Sequence, residues 1–118
     1  MKEIKFRGIE KREKDWVYGY YMKKGIKHCI CPDINGTNDY WTEHEVIPKT
    51  VGQYTGSIDI TGQKIYEGDI TPDGIVVFEN GGFQIKDKHG YFEWLNEESR
   101  EIIGNKYDNP EFKKGGRE

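Results

Sequence analysis

The sequence has no apolar run near the ~20 residues a membrane-spanning helix needs, and Met1-Lys2-Glu3 leads straight into a strand pattern instead of a secretory leader. A soluble, cytoplasmic protein with no membrane partner is expected. Cysteine is scarce: Cys29 and Cys31 are the only two. They lie two apart on an extended segment and cannot readily bridge to each other, so they read as free thiols of a reducing compartment. Basic excess is also lacking, with 18 Lys and Arg against 21 Asp and Glu and a net charge of -3. That balance argues against sequence-independent nucleic-acid binding as the main work and leaves room only for a local basic patch. Long helix-forming runs are few. Nucleophile motifs, phosphate-cradling glycine loops and zincin helices are missing, so neither an enzyme nor a cofactor is expected.

Hydrophobic residues make up only 34% and mean hydropathy is -0.91, yet aromatics reach 14%, so burial must come from a few large rings more than from an aliphatic core. At 118 residues the chain suits one domain. Fifteen glycines spread along it point to short strands and tight turns, hence an all-β fold of short antiparallel strands. We read 1–118 as a single domain, with an N-terminal β subdomain at 1–56, a second β subdomain at 57–112 and a disordered tail at 113–118.

The stretch Val51 to Ile70, VGQYTGSIDITGQKIYEGDI, organises the rest. Gly52 and Gly56 bracket Tyr54, and Asp59 to Gly62 is a turn in which Asp bonds its own backbone and Gly accepts positive φ. Ile65-Tyr66 is extended, and Glu67-Gly68-Asp69-Ile70 is a sharp bend opening a strand. Upstream, Ile4 to Arg7 is a short strand stopping at Gly8, Glu10 to Asp15 a solvated hairpin loop, and Trp16 to Met22 the clearest strand. In that strand Trp16, Tyr18, Tyr20 and Met22 share one face, and Gly19 marks a bulge or close backbone approach. Lys23-Lys24-Gly25 turns the chain into a strand at Ile26 to Cys31. Pro32 to Tyr40 is a loop, and Trp41 to Ile47 is extended until Pro48.

Downstream, Thr71 to Gly74 turns into Ile75 to Phe78, an apolar run suited to a central strand. Asn80-Gly81 is a strong hairpin signal before the return strand Phe83 to Asp87. Lys88-His89-Gly90 turns again, Tyr91 to Leu95 is a strand, Asn96 to Arg100 one helical turn, Glu101 to Tyr107 the last strand, and Phe112 docks a final turn. The second half resembles an SH3-like small barrel, with an open, curved meander as the alternative.

With these segments in hand, the chain resembles the YopX-like proteins of phages and prophages. The residues that carry the likeness begin with Ile4 to Gly8, Trp16 to Tyr20, Val46-Ile47-Pro48 and Thr50 to Gly56. They continue with Asp59, Gly62, Lys64 to Ile70, Val77 to Gly81 and Ile103 to Pro110. The resemblance implies a structural signature of Gly52, Tyr54, Gly56, Asp59, Gly62, Tyr66, Glu67, Gly68, Asp69, Asn80 and Gly81, in an accessory protein of the bacterial host's cytoplasm. It carries over no biochemical activity. Related proteins often have a longer insertion where Thr71 to Gly74 stands, and here this chain departs from the family pattern.

Four groups invite chemistry. His28-Cys29-x-Cys31 suits zinc by residue type, but the thiols share one face while His28 points to the other, and a structural site needs about four converging ligands. Buried thiols are the plainer reading, and no metal is expected. Glu67 and Asp69 could pair for acid–base work or a divalent ion, or accept backbone N–H groups and fix the bend. Glu43-His44-Glu45 could hold a base, or lie on an exposed edge strand. Trp16, Tyr18 and Tyr20, with Lys23, Lys24, Lys27 and His28 beyond them, could stack single-stranded nucleic acid or form core. The remaining weight falls on a non-enzymatic protein-interaction module, a homo-oligomer or a binder of a phage or host protein, with nucleic-acid binding as the alternative.

Overall fold

A computed structural model of the chain describes residues 5–32, 43–95 and 100–108, and apart from one 3-10 turn its regular structure is all β, as the turn density and alternation predict. Every strand pair with an assigned register is antiparallel. Among the described residues no helix is long and apolar enough to cross a membrane. The chain divides into two compact units, Met1–Tyr54 and Thr55–Glu118.

In the first unit β1 (Phe6–Ile9), β2 (Trp16–Lys24), β3 (Lys27–Cys31) and β4 (His44–Glu45) lie in the order β4-β3-β2-β1, and the start of β5 (Gly52–Ile58) pairs with β1. β1 does not stop at Gly8 but runs on to Ile9. Gly8 is a packing position: a Cβ there would stand 3.1 Å from the Cβ of buried Val46. Gly19 answers to a closer approach, since a Cβ would fall 2.1 Å from the Cys31 carbonyl oxygen, a separation no side chain sustains.

The loop after β1 is the expected hairpin connection. Glu10 N–H donates to Asp15 O at 2.9 Å and Lys14 N–H to Glu10 O at 2.9 Å, with Lys14 at φ 65°. The Glu13 N–H donates to the Glu10 carboxylate at 2.6 Å and, foremost among the causes, lowers its pKa. Ile26, expected to open β3, sits instead in the turn with Gly25 and is 92% exposed, because Gly25 at φ 67° keeps the chain turning for one residue more. Cys29, Ile30, Cys31 and Val46 are buried. Thr50 ties the 3-10 turn Pro48–Thr50 to β1, accepting the Ile9 N–H at 2.9 Å and donating to Ile47 O at 2.6 Å.

The second unit holds the end of β5, then β6 (Lys64–Tyr66), β7 (Asp69–Thr71), β8 (Gly74–Glu79), β9 (Gly82–Lys86), β10 (Phe92–Trp94) and β11 (Gly104–Asn105). β6 lies beside β5, and the others follow the order β10-β9-β8-β7-β11. The β8–β9 hairpin turns at Asn80 (φ 57°) and Gly81 (φ 85°), both positive as a two-residue turn matched to strand twist requires. Thr71 closes the turn before β8 by accepting the N–H groups of Asp73 (3.0 Å) and Gly74 (3.2 Å) on its hydroxyl. In the turn after β9 the Asp87 carboxylate accepts the N–H groups of His89 (2.9 Å) and Tyr91 (3.0 Å). Ile65, Val76 and Ile85 form the core, with Leu95 and Ile102 packed against it. β8 is central in order, yet only Val76 of its apolar run is fully buried, and Phe78 at its end is 51% exposed.

The last strand is shorter than Glu101 to Tyr107. Only Gly104 and Asn105 pair, with Ile70 and Asp69. The Ile102 N–H is taken by the Asp59 carboxylate at 3.0 Å, and beyond the strand Asn105 Oδ1 accepts the N–H groups of Tyr107 (3.0 Å) and Asp108 (2.9 Å), which bends the chain into a turn. The readings at Ile4, the 33–40 loop, Trp41, the helical turn at 96–99, Phe112 and the 113–118 tail lie outside the described residues.

Candidate functional site

The signature stretch is built around one carboxylate. Asp59 is 1% exposed, and its Oδ1 accepts the Thr61 N–H (2.9 Å), the Thr61 hydroxyl (2.7 Å) and the Gln63 N–H (2.8 Å) while Oδ2 accepts the Ile102 N–H (3.0 Å). Burial alone would raise its pKa, but these bonds, led by the Ile102 N–H, hold it down to about 2. Asp59 also closes the turn through its backbone, accepting the Gly62 N–H at 2.9 Å with Gly62 at φ 92°. Both carboxylate oxygens accept backbone N–H groups, and Oδ1 takes the Thr61 hydroxyl as well. Asp59 is a tie between the turn after β5 and the segment before β11.

The Glu67-Gly68-Asp69 bend works in the same way. Asp69 is 2% exposed and its Oδ2 accepts the Tyr66 N–H at 2.7 Å, so this carboxylate fixes the bend. Gly68 turns at φ 97°, donates its N–H to Val76 O (2.8 Å) and accepts the Lys106 N–H (2.9 Å). Tyr66 is buried, Glu67 half-buried and Gly56 exposed at φ 91°, whereas Gly52 is buried opposite Arg7 without positive φ. Tyr54 is half-buried and donates its N–H to Lys5 O at 2.7 Å.

The aromatic stripe of β2 is only partly core. Tyr18 and Tyr20 are 47% and 45% exposed, while Trp16 is half-buried beneath the Arg7 guanidinium, whose carbon lies 4.5 Å from the ring centroid. Lys23, Lys24 and Lys27 are exposed at the far end of the β2–β3 hairpin. His28 is turned to the other use of the strand pair: its Nδ1 lies 2.6 Å from the Tyr21 hydroxyl. Lys24 pairs with Glu43 (3.1 Å) and Lys11 with Glu45 (3.2 Å), so both acids flanking His44 on the edge strand β4 hold lysines. Cys29 and Cys31 are buried, and the Cys31 thiol lies 3.3 Å from Met22 Sδ. Among the described residues no three His, Cys, Asp or Glu side chains converge as metal ligands.

A second aromatic surface escaped the sequence reading. All three residues of β10 are exposed, Phe92 by 40% and Trp94 by 57%, with Tyr91 before them at 73%. The benzo edge of Trp94 abuts Gly82, where a Cβ would stand 2.7 Å from Cζ3, so the glycine is what seats the indole. Lys86 Nζ lies 5.5 Å from the Phe92 ring centroid. Between the aromatics, on the opposite face, Glu93 meets Arg100 Nη2 at 2.8 Å, and Arg100 Nε also holds Asp73 at 3.0 Å. Burial alone would lower the Arg100 pKa, but the two carboxylates raise it. The alternation in Tyr91-Phe92-Glu93-Trp94 announced a strand. Its edge position and the glycine under the indole are properties of strand order, which no local pattern states.

The two surfaces stand in different electrostatic settings. Residues 1–54 carry ten Lys and Arg against eight Asp and Glu, and residues 55–118 carry eight against thirteen.

A comparison with curated proteins finds no match. The model of the family described as YopX protein matches residues 5–112, a span that takes in every element described above from β1 to β11. The chain belongs to the YopX protein family.

Proposed function

We propose that the protein is a non-enzymatic protein-interaction module, an accessory protein of phage or prophage origin working in the cytoplasm of a bacterial host. The observation that carries this reading is β10: a strand at the end of its sheet order with all three residues exposed, two of them large aromatics. Natural edge strands are commonly blunted by charge, proline or a bulge; here the one charge, Glu93, is held by Arg100, and the aromatics on the other face suit strand addition by a protein partner. The buried acids support the same reading, because both oxygens of Asp59 and Oδ2 of Asp69 accept backbone N–H groups. In the five-stranded sheet β7 lies between β8 and β11, the sheet's first strand beside its second and its last, an order that supports an SH3-like small barrel.

A second reading rests on Tyr18 and Tyr20. They are exposed, two residues apart on one face, in the unit with the basic excess, a setting suited to stacking single-stranded nucleic acid. A salt titration separates the two. Under the interaction reading, single-stranded oligonucleotides do not bind at micromolar protein in physiological salt, and Tyr18→Ala changes nothing in that assay. A monomer that binds them, with affinity falling steeply as salt rises and weakened about tenfold or more by Tyr18→Ala or Tyr20→Ala, overturns the interaction reading and puts the second in its place.

A further inference from the structure

We propose that β10 is the dimerisation strand of this protein and that its partner is β10 of a second copy, paired antiparallel about a two-fold axis through Glu93. The proposal rests on the interaction reading and names its partner. Antiparallel ladders alternate between residues that bond one neighbour and residues that bond the other. Asp87 N–H donates to Tyr91 O at 2.9 Å and Leu95 N–H to Phe83 O at 3.2 Å, and Glu93 lies opposite Ile85, so residues 91, 93 and 95 direct their backbone groups at β9. Phe92 and Trp94 therefore turn N–H and C=O toward the outer edge, where among the described residues no strand pairs.

Those two residues make the edge self-complementary. Pairing about Glu93 sets Phe92 opposite Trp94 of the second copy and Trp94 opposite its Phe92. Each is a bonded pair exchanging two backbone hydrogen bonds, and each brings two aromatic rings together on one face. An aromatic pair across an antiparallel ladder is among the more favourable cross-strand contacts, and the two-fold axis supplies it twice. The obstacle is Glu93, which would face its own copy. Arg100 answers it, with a guanidinium already 2.8 Å from the Glu93 carboxylate and only 12% exposed. A second copy brings its own arginine with its own glutamate. The excess of acid in residues 55–118 works against a polyanion at this edge, and strand pairing needs no charge attraction.

The test combines mass with amide exchange on the full chain. Light scattering over a concentration series should approach twice 13.8 kDa. In the same series the Phe92 and Trp94 amides, which no strand pairs among the described residues, should become protected as dimer forms. Phe92→Thr keeps a strand-forming residue while removing a ring from both cross-strand pairs, and should weaken the dimer about tenfold or more. Added salt should leave the dimer intact or strengthen it. A dimer whose Phe92 and Trp94 amides exchange freely would overturn the β10 assignment while leaving the interaction reading in place. A monomer at every concentration that binds no oligonucleotide overturns this proposal alone, whereas a monomer that binds them overturns both. Should Phe92→Thr fail to fold, protection of the two wild-type amides decides by itself.

Discussion

Replacing Asp59 should be among the most damaging single changes outside the aliphatic core, and the cost can be worked from its bonds. Asp59→Asn keeps the oxygen that serves Thr61 and Gln63 but turns an NH2 toward the Ile102 N–H, exchanging a 3.0 Å bond for two opposed donors. Hydrogen bonds to a charged acceptor contribute roughly 1.5–3 kcal/mol, and a part-buried donor left alone costs roughly 1–3 kcal/mol. Thr61 and Gln63 are exposed, and water can serve them in part. We therefore expect Asp59→Asn to cost about 2–3 kcal/mol, roughly a 10 °C fall in melting temperature for a chain of this size. Asp59→Ala should cost about 1 kcal/mol more, as the remaining bonds go too.

The pH dependence of the variant's cost should identify the carboxylate as the cause. The folded pKa of Asp59 is about 2, below its unfolded value near 4, so its stabilisation is complete above pH ~4 and is lost as pH falls toward 2. Across that window the wild type should lose on the order of 1–2 kcal/mol through this group, after discounting for water at the Thr61 end. Chemical denaturation of wild type and Asp59→Asn at a series of pH values should show their difference shrinking from pH 5 to pH 2. A difference that stays constant, or variants that melt with the wild type, would refute the account of Asp59 as a charged tie.

Two further outcomes are expected. Gly68→Val should cost about 1–3 kcal/mol because φ 97° strains any β-branched residue, and Gly19→Ala at least as much because its methyl would meet the Cys31 carbonyl at 2.1 Å; an unchanged melting temperature in either shows that the site relaxes freely. Protein purified without added zinc should contain none in stoichiometric amount, and elemental analysis finding about one zinc per chain, lost in Cys29→Ser, would reverse the reading of β3.

What the sequence disclosed and what it withheld divide along a physical line. Turns were legible because their cause is local: Asn80-Gly81 needs two positive φ values, and Asp59-x-x-Gly62 bonds its own backbone. The alternation of β2 was legible for the same reason. Strand ends were less so, because a glycine can end a strand or admit a neighbour, and at Gly8 the neighbour is Val46, 38 positions along the chain. The end of the chain misread for a related reason. The segment from Glu101 has the composition of a strand, but the Ile102 N–H is claimed by Asp59, a partner 43 residues away. Edge position is the extreme case. Nothing in Phe92-Glu93-Trp94 distinguishes an outer strand from an inner one, so the most exposed aromatic strand looked like any other.

The two exposed aromatic surfaces then differ in what they can recognise, and the difference is electrostatic. Tyr18 and Tyr20 belong to the unit with two more basic than acidic residues, and exposed Lys23 and Lys27 stand at the end of their hairpin. Phe92 and Trp94 belong to the unit with five more acidic than basic residues, and half-buried Arg100 beside them is already shared between Glu93 and Asp73. On charge count alone, the first setting favours a polyanion and the second disfavours one. What remains for β10 is contact through backbone hydrogen bonds and apolar area, for which salt screens only a repulsion. Ionic strength therefore moves the two surfaces in opposite directions: an interaction that survives high salt points to β10, and one that collapses points to the tyrosines.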